Sequence, residues 1–328
     1  MSKNQKKRVI VPGMMNVDII GMSVERLLAP GELVIGGELR IGPGGKSRNI
    51  AAMIATYSQD ADVFMISKTT EDPFGLWKIP ITALEQSGVN TECISILPFT
   101  GQYPGIALIP VDVKGNNQIY VLPGINNTFD FSDIATAEHL FQSTLGSIVV
   151  ITLETPLSAI HAAVELAKKY NHLICVDFGG IQEKIDYSAF LTSGIFFAKP
   201  NAHEARILTG VTVVDMESFR EAAKKFFDWG VEHLLITVGK DGAYYAHQSE
   251  VYHVLAPKIA GKHEIFDETG CGDQTMATFV AAFLANNNIH QAIQEAICAG
   301  TLQFYSAGIQ PLSRRQVMNA MNALKSAQ

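Results

Sequence analysis

The chain has 328 residues, 47% of them apolar and only 17% charged, so a folded protein that buries roughly three quarters of its extended surface is expected and a disordered solvating tail is excluded. The 25 Lys and Arg against 32 Asp and Glu leave a net charge of −7, which excludes a broad basic surface for nucleic acid. Any phosphate site must then use backbone amides and one or two cations.

Four cysteines, Cys93, Cys175, Cys271 and Cys298, show neither a zinc spacing nor a disulfide framework, which fits a reducing cytoplasm. No uncharged apolar run reaches the 18 residues of a membrane-spanning helix.

At the N-terminus a basic stretch precedes apolar residues in the manner of a signal peptide, but Gly13 and Asp18 interrupt the run, and the segment is predicted to be the first β-strand. Gly36, Gly37, Gly42, Gly44 and Gly45 then crowd into ten positions. From about residue 50 the spacing predicts strands at 62–66, 147–153, 173–176, 194–198 and 234–238, alternating with helices at 47–57, 74–87, 157–170, 201–209 and 216–229. That alternation predicts a three-layer α/β/α sandwich around a mostly parallel sheet. Residues of about 18–42 and 94–122 read as strands without helices, with 106–113 and 117–122 forming a hairpin around Lys114-Gly115-Asn116. They are predicted to make a small β-lid, inserted in two pieces into one domain spanning 1–328.

The strongest chemical signal is Phe266-Asp267-Glu268-Thr269-Gly270-Cys271-Gly272-Asp273, which runs into a helical pattern with Met276, Phe279, Val280 and Phe283 on one apolar face. Amides at the start of that helix would form an anion hole, and the Asp273 carboxylate beside it can take a proton from a hydroxyl while phosphoryl charge is stabilised. An Asp-capped helix after a glycine turn would use the same residues. The segment resembles the Asp-Thr-Thr-Gly-Ala-Gly-Asp signature of the ribokinase (PfkB) family of sugar and nucleoside kinases, with Glu268 and Cys271 in place of Thr and Ala. The resemblance implies Asp273 as base and Gly270, Cys271 and Gly272 as anion hole.

Other pieces match the family in the same order along the chain. Gly13-Met14-Met15-Asn16-Val17-Asp18 resembles its Gly-x-x-Asn-x-Asp, which implies that Asn16 and Asp18 hold acceptor hydroxyls; a satisfied Asp at a turn is the alternative. Pro43-Gly44-Gly45-Lys46-Ser47-Arg48-Asn49 is similar to Gly-Gly-Lys-Gly-x-Asn, which brings Gly45, Lys46 and Asn49 to the acceptor and lets the lid hinge at the paired glycines. It is not a phosphate-binding Walker loop, because that motif requires a glycine at position 40, which is Arg40. Asp72-Pro73-Phe74-Gly75, Thr100-Gly101 and Pro123-Gly124-Ile125-Asn126-Asn127 resemble turns around the lid. Glu154 ends a strand and, in relatives, an acid there faces the sugar; a surface Glu before a proline-started helix fits equally.

On the nucleotide side, Asn201-Ala202-His203-Glu204 is similar to the family's Asn-x-x-Glu, which assigns Asn201 to the nucleotide and Glu204 to water-bound magnesium; helix capping is the alternative. Thr237-Val238-Gly239-Lys240-Asp241-Gly242 resembles Thr-x-Gly-x-x-Gly, whose Thr237, Gly239 and Gly242 would contact nucleotide phosphates, although a hairpin turn looks the same. Asp267 and Thr269 match a monovalent-cation site, yet Leu312 stands where relatives with that site often supply a Ser oxygen, so potassium is left open. Ile297 lies roughly where some members place an Asn at the adenine, which leaves the donor base open.

These features lead to the expectation of a magnesium-dependent kinase that moves the γ-phosphoryl group of ATP to a primary hydroxyl of a sugar or sugar derivative. A nucleoside acceptor would use Phe99, Tyr103 and Tyr120 of the lid segments, and a phosphosugar would use Lys46 and Arg48. A non-catalytic sugar- or nucleotide-binding regulator is the rival from another class, against which the intact Asp273 loop argues. Neither nucleic acid nor membrane is expected as a partner, and open strand edges in the lid lead to the expectation of a homodimer.

Overall fold

Apolar runs without polar alternation belong in a sheet covered on both faces. The computed structural model, which describes residues 7–58, 60–114, 116–142, 146–259 and 266–326, places them in one. Its strands are β1 (Lys7–Pro12), β2 (Asn16–Val24), β3 (Glu38–Gly44), β4 (Ala61–Thr70), β5 (Asn90–Leu97), β6 (Gly105–Asp112), β7 (Tyr120–Leu122), β8 (Ile148–Thr152), β9 (Leu173–Asp177), β10 (Phe197–Lys199), β11 (His233–Thr237), β12 (Ala243–His247) and β13 (Glu250–Val254). The large sheet runs β13-β12-β11-β10-β9-β8-β1-β4-β5 and is parallel except where β12 pairs antiparallel with β11 and β13.

Alternate side chains of the central strands divide two cores. Val9, Val11, Val150 and Leu235 pack with Met53 of helix Lys46–Tyr57 and with Phe279 and Val280 of helix Cys271–Asn286. Ile10, Val149, Ile151 and Val176 face the other way, onto Ile160 of helix Leu157–Lys169 and Phe219 and Phe226 of helix Met216–Asp228. The result is the α/β/α sandwich expected from the alternation. A second sheet, β3-β2-β6-β7, pairs β2 antiparallel with β3 and parallel with β6. Among the described residues no helix is long and apolar enough to cross a membrane, and all four cysteines are free.

Several boundaries differ from the sequence expectation. The first apolar run is two strands: after Pro12 the chain passes from the large sheet to the small one, and Gly13 between them packs so closely that a Cβ would lie 2.0 Å from Ser47 Oγ. Residues 94–97 belong to β5 at the edge of the large sheet, where Ile94 is buried beside Ser67, so the second piece of the small sheet begins at Gly105. The helix expected from 74 starts at Lys78, since the Asp72 carboxylate accepts from Phe74 N and Trp77 N and holds a turn before it. β6 and β7 are antiparallel as the hairpin requires, while Gly115 at its tip lies outside the described residues.

Candidate active site

Only residues 13–15 separate β1 from β2, so Asn16 and Asp18 enter the small sheet at the carboxyl end of the large one. Helix Lys46–Tyr57 opens beside them. A Cβ on Gly44 would stand 1.9 Å from Asp18 Oδ1, so only glycine lets that carboxylate lie against the backbone. Asn16 Oδ1 accepts from Asn126 Nδ2 at 2.8 Å, and the same amide donates to Met15 O at 3.0 Å. Buried Asn126, read from the sequence only as part of a turn, therefore fixes the Asn16 side chain.

Gly270 takes a left-handed conformation, φ +77°, and caps helix Cys271–Asn286, which carries Asp273 in its first turn. Asp273 is 3% exposed. Its Oδ1 accepts from Lys46 Nζ and its Oδ2 from Asn49 Nδ2, each at 2.9 Å. Arg48, also buried, donates from Nη1 to Asn49 Oδ1 at 2.9 Å. A guanidinium has only donors to offer, so it turns the amide nitrogen of Asn49 toward the carboxylate. Glu154 Oε2 accepts from Lys46 N at 2.9 Å.

Burial pushes Asp18 up to about 6, with Arg48 opposing and Asp273 reinforcing the shift. Burial likewise raises Glu154 to about 7 against the pull of Lys46. Desolvation disfavours the Lys46 charge, but Asp273, Asp177 and Glu154 around it hold the ammonium well above its ordinary value. Arg48 is brought down to about 10 by burial.

In the glycine turn, the N–H of Cys271 donates to Glu268 O at 3.2 Å. Those of Gly270, Gly272 and Asp273 have no backbone partner among the described residues, as the geometry of a helix start requires. Of the three amides expected in the anion hole, those of Gly270 and Gly272 are without such a partner and that of Cys271 faces Glu268 O. Burial also raises the Cys271 thiol to about 12, which keeps it protonated and inert.

A cleft of about 620 Å³ joins this turn to Lys46, Asn201, Glu204, Thr237, Gly239 and Gly242. Asn201 and Thr237 meet in a bridge where β10 and β11 end. Asn201 Oδ1 accepts from Glu204 N and Glu204 Oε2 from Asn201 N, both at 2.8 Å, so the capping box is real and also lines the cleft. Ile297, Thr301, Phe304 and Tyr305 form its far wall.

The sequence reading missed the buried ion pair of this cleft. Asp177 ends β9, Lys199 ends β10, the register sets them opposite each other, and Lys199 Nζ lies 2.8 Å from Asp177 Oδ2. A charged residue closing each of two adjacent apolar strands was the available signal. Lys199 and Lys46 together hold Asp177 below its ordinary value although burial opposes them. Burial and nearby Asp177 raise Glu204. Two carboxylates that repel each other in a partly desolvated cleft fit a hydrated magnesium ion, which would relieve that repulsion.

Other residues singled out from the sequence lie outside this cleft. Asp267 and Thr269 do not line the cleft. Phe99 and Tyr103 pack on one another and on Phe74 at the surface, and Tyr120 is exposed on β7. Glu232, buried His233 and His247 also come together, with the two imidazoles stacked at 4.7 Å and His233 Nδ1 paired with Tyr245 Oη at 2.8 Å.

The description of the pfkB family carbohydrate kinases matches residues 6–314. The chain is 32% identical over 285 residues to a ribokinase of Staphylococcus aureus, covering 87% of each protein. It is 27% identical over 304 residues to a deoxyribokinase of Salmonella typhi, covering 90% of this chain and 94% of that one. With a bifunctional ribokinase/ribose-5-phosphate isomerase A of Fructilactobacillus sanfranciscensis it shares 31% identity over 320 residues, 96% of this chain but 56% of that protein. The solved structure of Arabidopsis thaliana ribokinase complexed with ribose and ATP shares the fold, with a TM-score of 0.82 at 24% identity and coverage of 96% and 98%.

Proposed function

The chain belongs to the pfkB family of carbohydrate kinases and is a sugar kinase, and we propose that it transfers the γ-phosphoryl group of ATP to the primary hydroxyl of a pentose, with Asp273 as the base. The observation that carries this reading is Asp273 itself. Its two oxygens are anchored by Lys46 and Asn49, and unpaired amides of the same helical turn stand beside it. The acceptor hydroxyl gives its proton to the carboxylate, its oxygen bonds to Pγ, and the bond from Pγ to the bridging oxygen breaks to release ADP. Meanwhile the amides of Gly270, Gly272 and Asp273 stabilise the charge on the phosphoryl oxygens.

Asn16, Asp18, Gly45, Asn49 and Glu154 bind the acceptor in this reading, and Asn201, Thr237, Gly239 and Gly242 the nucleotide. Glu204 and Asp177 would hold magnesium through its water, and the ion would supply positive charge against the phosphates. The small sheet covers the acceptor within one kinase unit of 1–328. Pentoses come first because the relatives are a ribokinase and a deoxyribokinase. A phosphosugar is disfavoured, since Lys46 and Arg48 already engage Asp273 and Asn49.

A second reading, a nucleoside acceptor, is favoured by the aromatic group Phe74, Phe99 and Tyr103, which lies just before Gly105, the partner of Asn16 in β6. ADP release measured across ribose, 2-deoxyribose, hexoses, phosphosugars and nucleosides separates the readings. Turnover confined to nucleosides would replace the pentose, and silence across the whole panel would end the reading. Four free cysteines suit a cytoplasmic enzyme, and exposed Leu39, Ile41 and Val121 on the small sheet suit a homodimer. Cell fractionation and light scattering test these two points.

A further inference from the structure

Asp267 and Thr269 sit among oxygens that each accept a hydrogen bond already, and the space between the two loop carbonyls is filled by a side-chain nitrogen. Thr269 N donates to Asp267 Oδ1 at 2.9 Å and Gly308 N to Oδ2 at 2.8 Å. The Thr269 carbonyl accepts from Gln303 Nε2 at 3.3 Å, and the Gly308 carbonyl accepts from the same nitrogen at 2.6 Å. Gln303 is fully buried on helix Ile289–Phe304, and its own Oε1 accepts from Gln310 N at 3.4 Å. Leu312 is buried with an apolar side chain, and its N–H is donated to Gln274 Oε1 at 3.2 Å. A bare potassium ion needs several free oxygens to replace its water. The residues present do not fit one.

What they fit is the carboxamide. Two carbonyls, one from the loop before the anion hole and one from the loop after helix Ile289–Phe304, converge on a single NH2 group whose two hydrogens can serve both. Gln303 Cδ also lies 3.9 Å from where a Cβ on Gly270 would stand, directly against the residue that opens the Asp273 helix. We infer that Gln303 is a built-in replacement for a monovalent cation, a positioning residue that ties the Thr269 loop to the Gly308 loop, holds the Gly270–Asp273 turn in place and makes turnover independent of potassium. The inference rests on the Asp273 reading above for its effect on turnover, but not for its effect on the free protein.

The test compares turnover, and separately the melting of the free protein, in potassium, sodium, caesium and choline chloride at equal ionic strength, with ATP supplied as its Tris salt. Rate and melting point are expected to be the same throughout the series. A potassium-specific rise in either overturns the inference. Gln303→Glu sets an acceptor-only group against two carbonyl oxygens, so in choline its turnover should fall about 10- to 100-fold. Potassium should restore part of it by bridging the three oxygens. Gln303→Met, of similar size and without donors, should show the same loss in choline. Turnover equal to the parent in choline for a folded variant also overturns the inference, and if neither variant folds the cation series on the unaltered protein still decides. Asp273→Asn run alongside separates the two readings: undiminished turnover there removes the proposed base, while the melting series is judged on its own.

Discussion

Lys46 Nζ lies 2.9 Å from Asp273 Oδ1, joining the first turn of the acceptor-side helix to the first turn of the nucleotide-side helix. The carboxylate is thereby fixed where the acceptor and the nucleotide are proposed to meet. Asp273→Asn keeps the shape and the Lys46 contact but cannot take a proton, so kcat should fall about 10²- to 10⁴-fold, with nucleotide binding nearly unchanged in a fluorescence titration. Near-normal kcat would take Asp273 out of the chemistry.

Asp18, raised to about 6, and Glu154, raised to about 7, predict an acid limb in the acceptor kcat/KM, which should decline as pH falls through that range and both groups lose the charge that accepts sugar hydroxyls. Stability runs the other way. A carboxyl whose folded value is raised stabilises the fold fully below its ordinary value, and that contribution is lost as pH rises through the folded value, here from 3.8 to about 6 for Asp18. Asp18→Asn should therefore melt above the parent at about pH 8, with the gain disappearing in acid, while acceptor KM rises. A flat pH profile in the parent would contradict this assignment.

Arg48 is hydrogen-bonded to Asp273 only by way of Asn49, and its charge faces both Asp18 and Asp273. Strands β3 and β6 set Gly42 and Ala107 opposite Asp18, so no charge comes from there. Arg48→Met should lower acceptor kcat/KM about 10- to 100-fold and move the Asp18 part of the acid limb upward, toward that of Glu154. Arg48→Lys should leave the limb where it is. Identical profiles for Met and parent would show that Arg48 only fills space.

The Asp177–Lys199 pair is 2.8 Å apart, with both side chains almost wholly shielded from water. Lys199→Met strands a buried carboxylate and should cost about 3–5 kcal/mol in urea unfolding. Pairing it with Asp177→Leu should recover most of that stability but not the affinity for magnesium-ATP. Full recovery of both would mean that the pair serves the fold alone.

Periodicity made the sandwich legible, because each central strand alternates two sets of apolar side chains that only a sheet covered on both faces can bury. The glycine turn before Asp273 and the Gly44–Gly45 pair were legible for a related reason: both depend on backbone that other residues cannot adopt or approach. What stayed hidden depends on register or on distant segments. Lys199 meets Asp177 only because β9 and β10 align residue for residue, and Asn126 meets Asn16 across 110 positions. Gln303 reads as one more polar residue on a helix until the Thr269 and Gly308 loops are brought to it. The contact of the Cys271 amide with Glu268 O was equally hidden, since it depends on how the glycine turn closes.

The residues proposed to grip the acceptor are divided between two bodies: Asn16 and Asp18 sit on the small sheet, Asn49 and Asp273 on helices of the large one. A molecule that satisfies both sets must be several atoms long. Water, with a single oxygen, would engage fewer of these partners than a sugar with several hydroxyls. On the proposed reading, full binding requires contacts to both bodies at once, and ATP would be spared hydrolysis until a substrate supplies them.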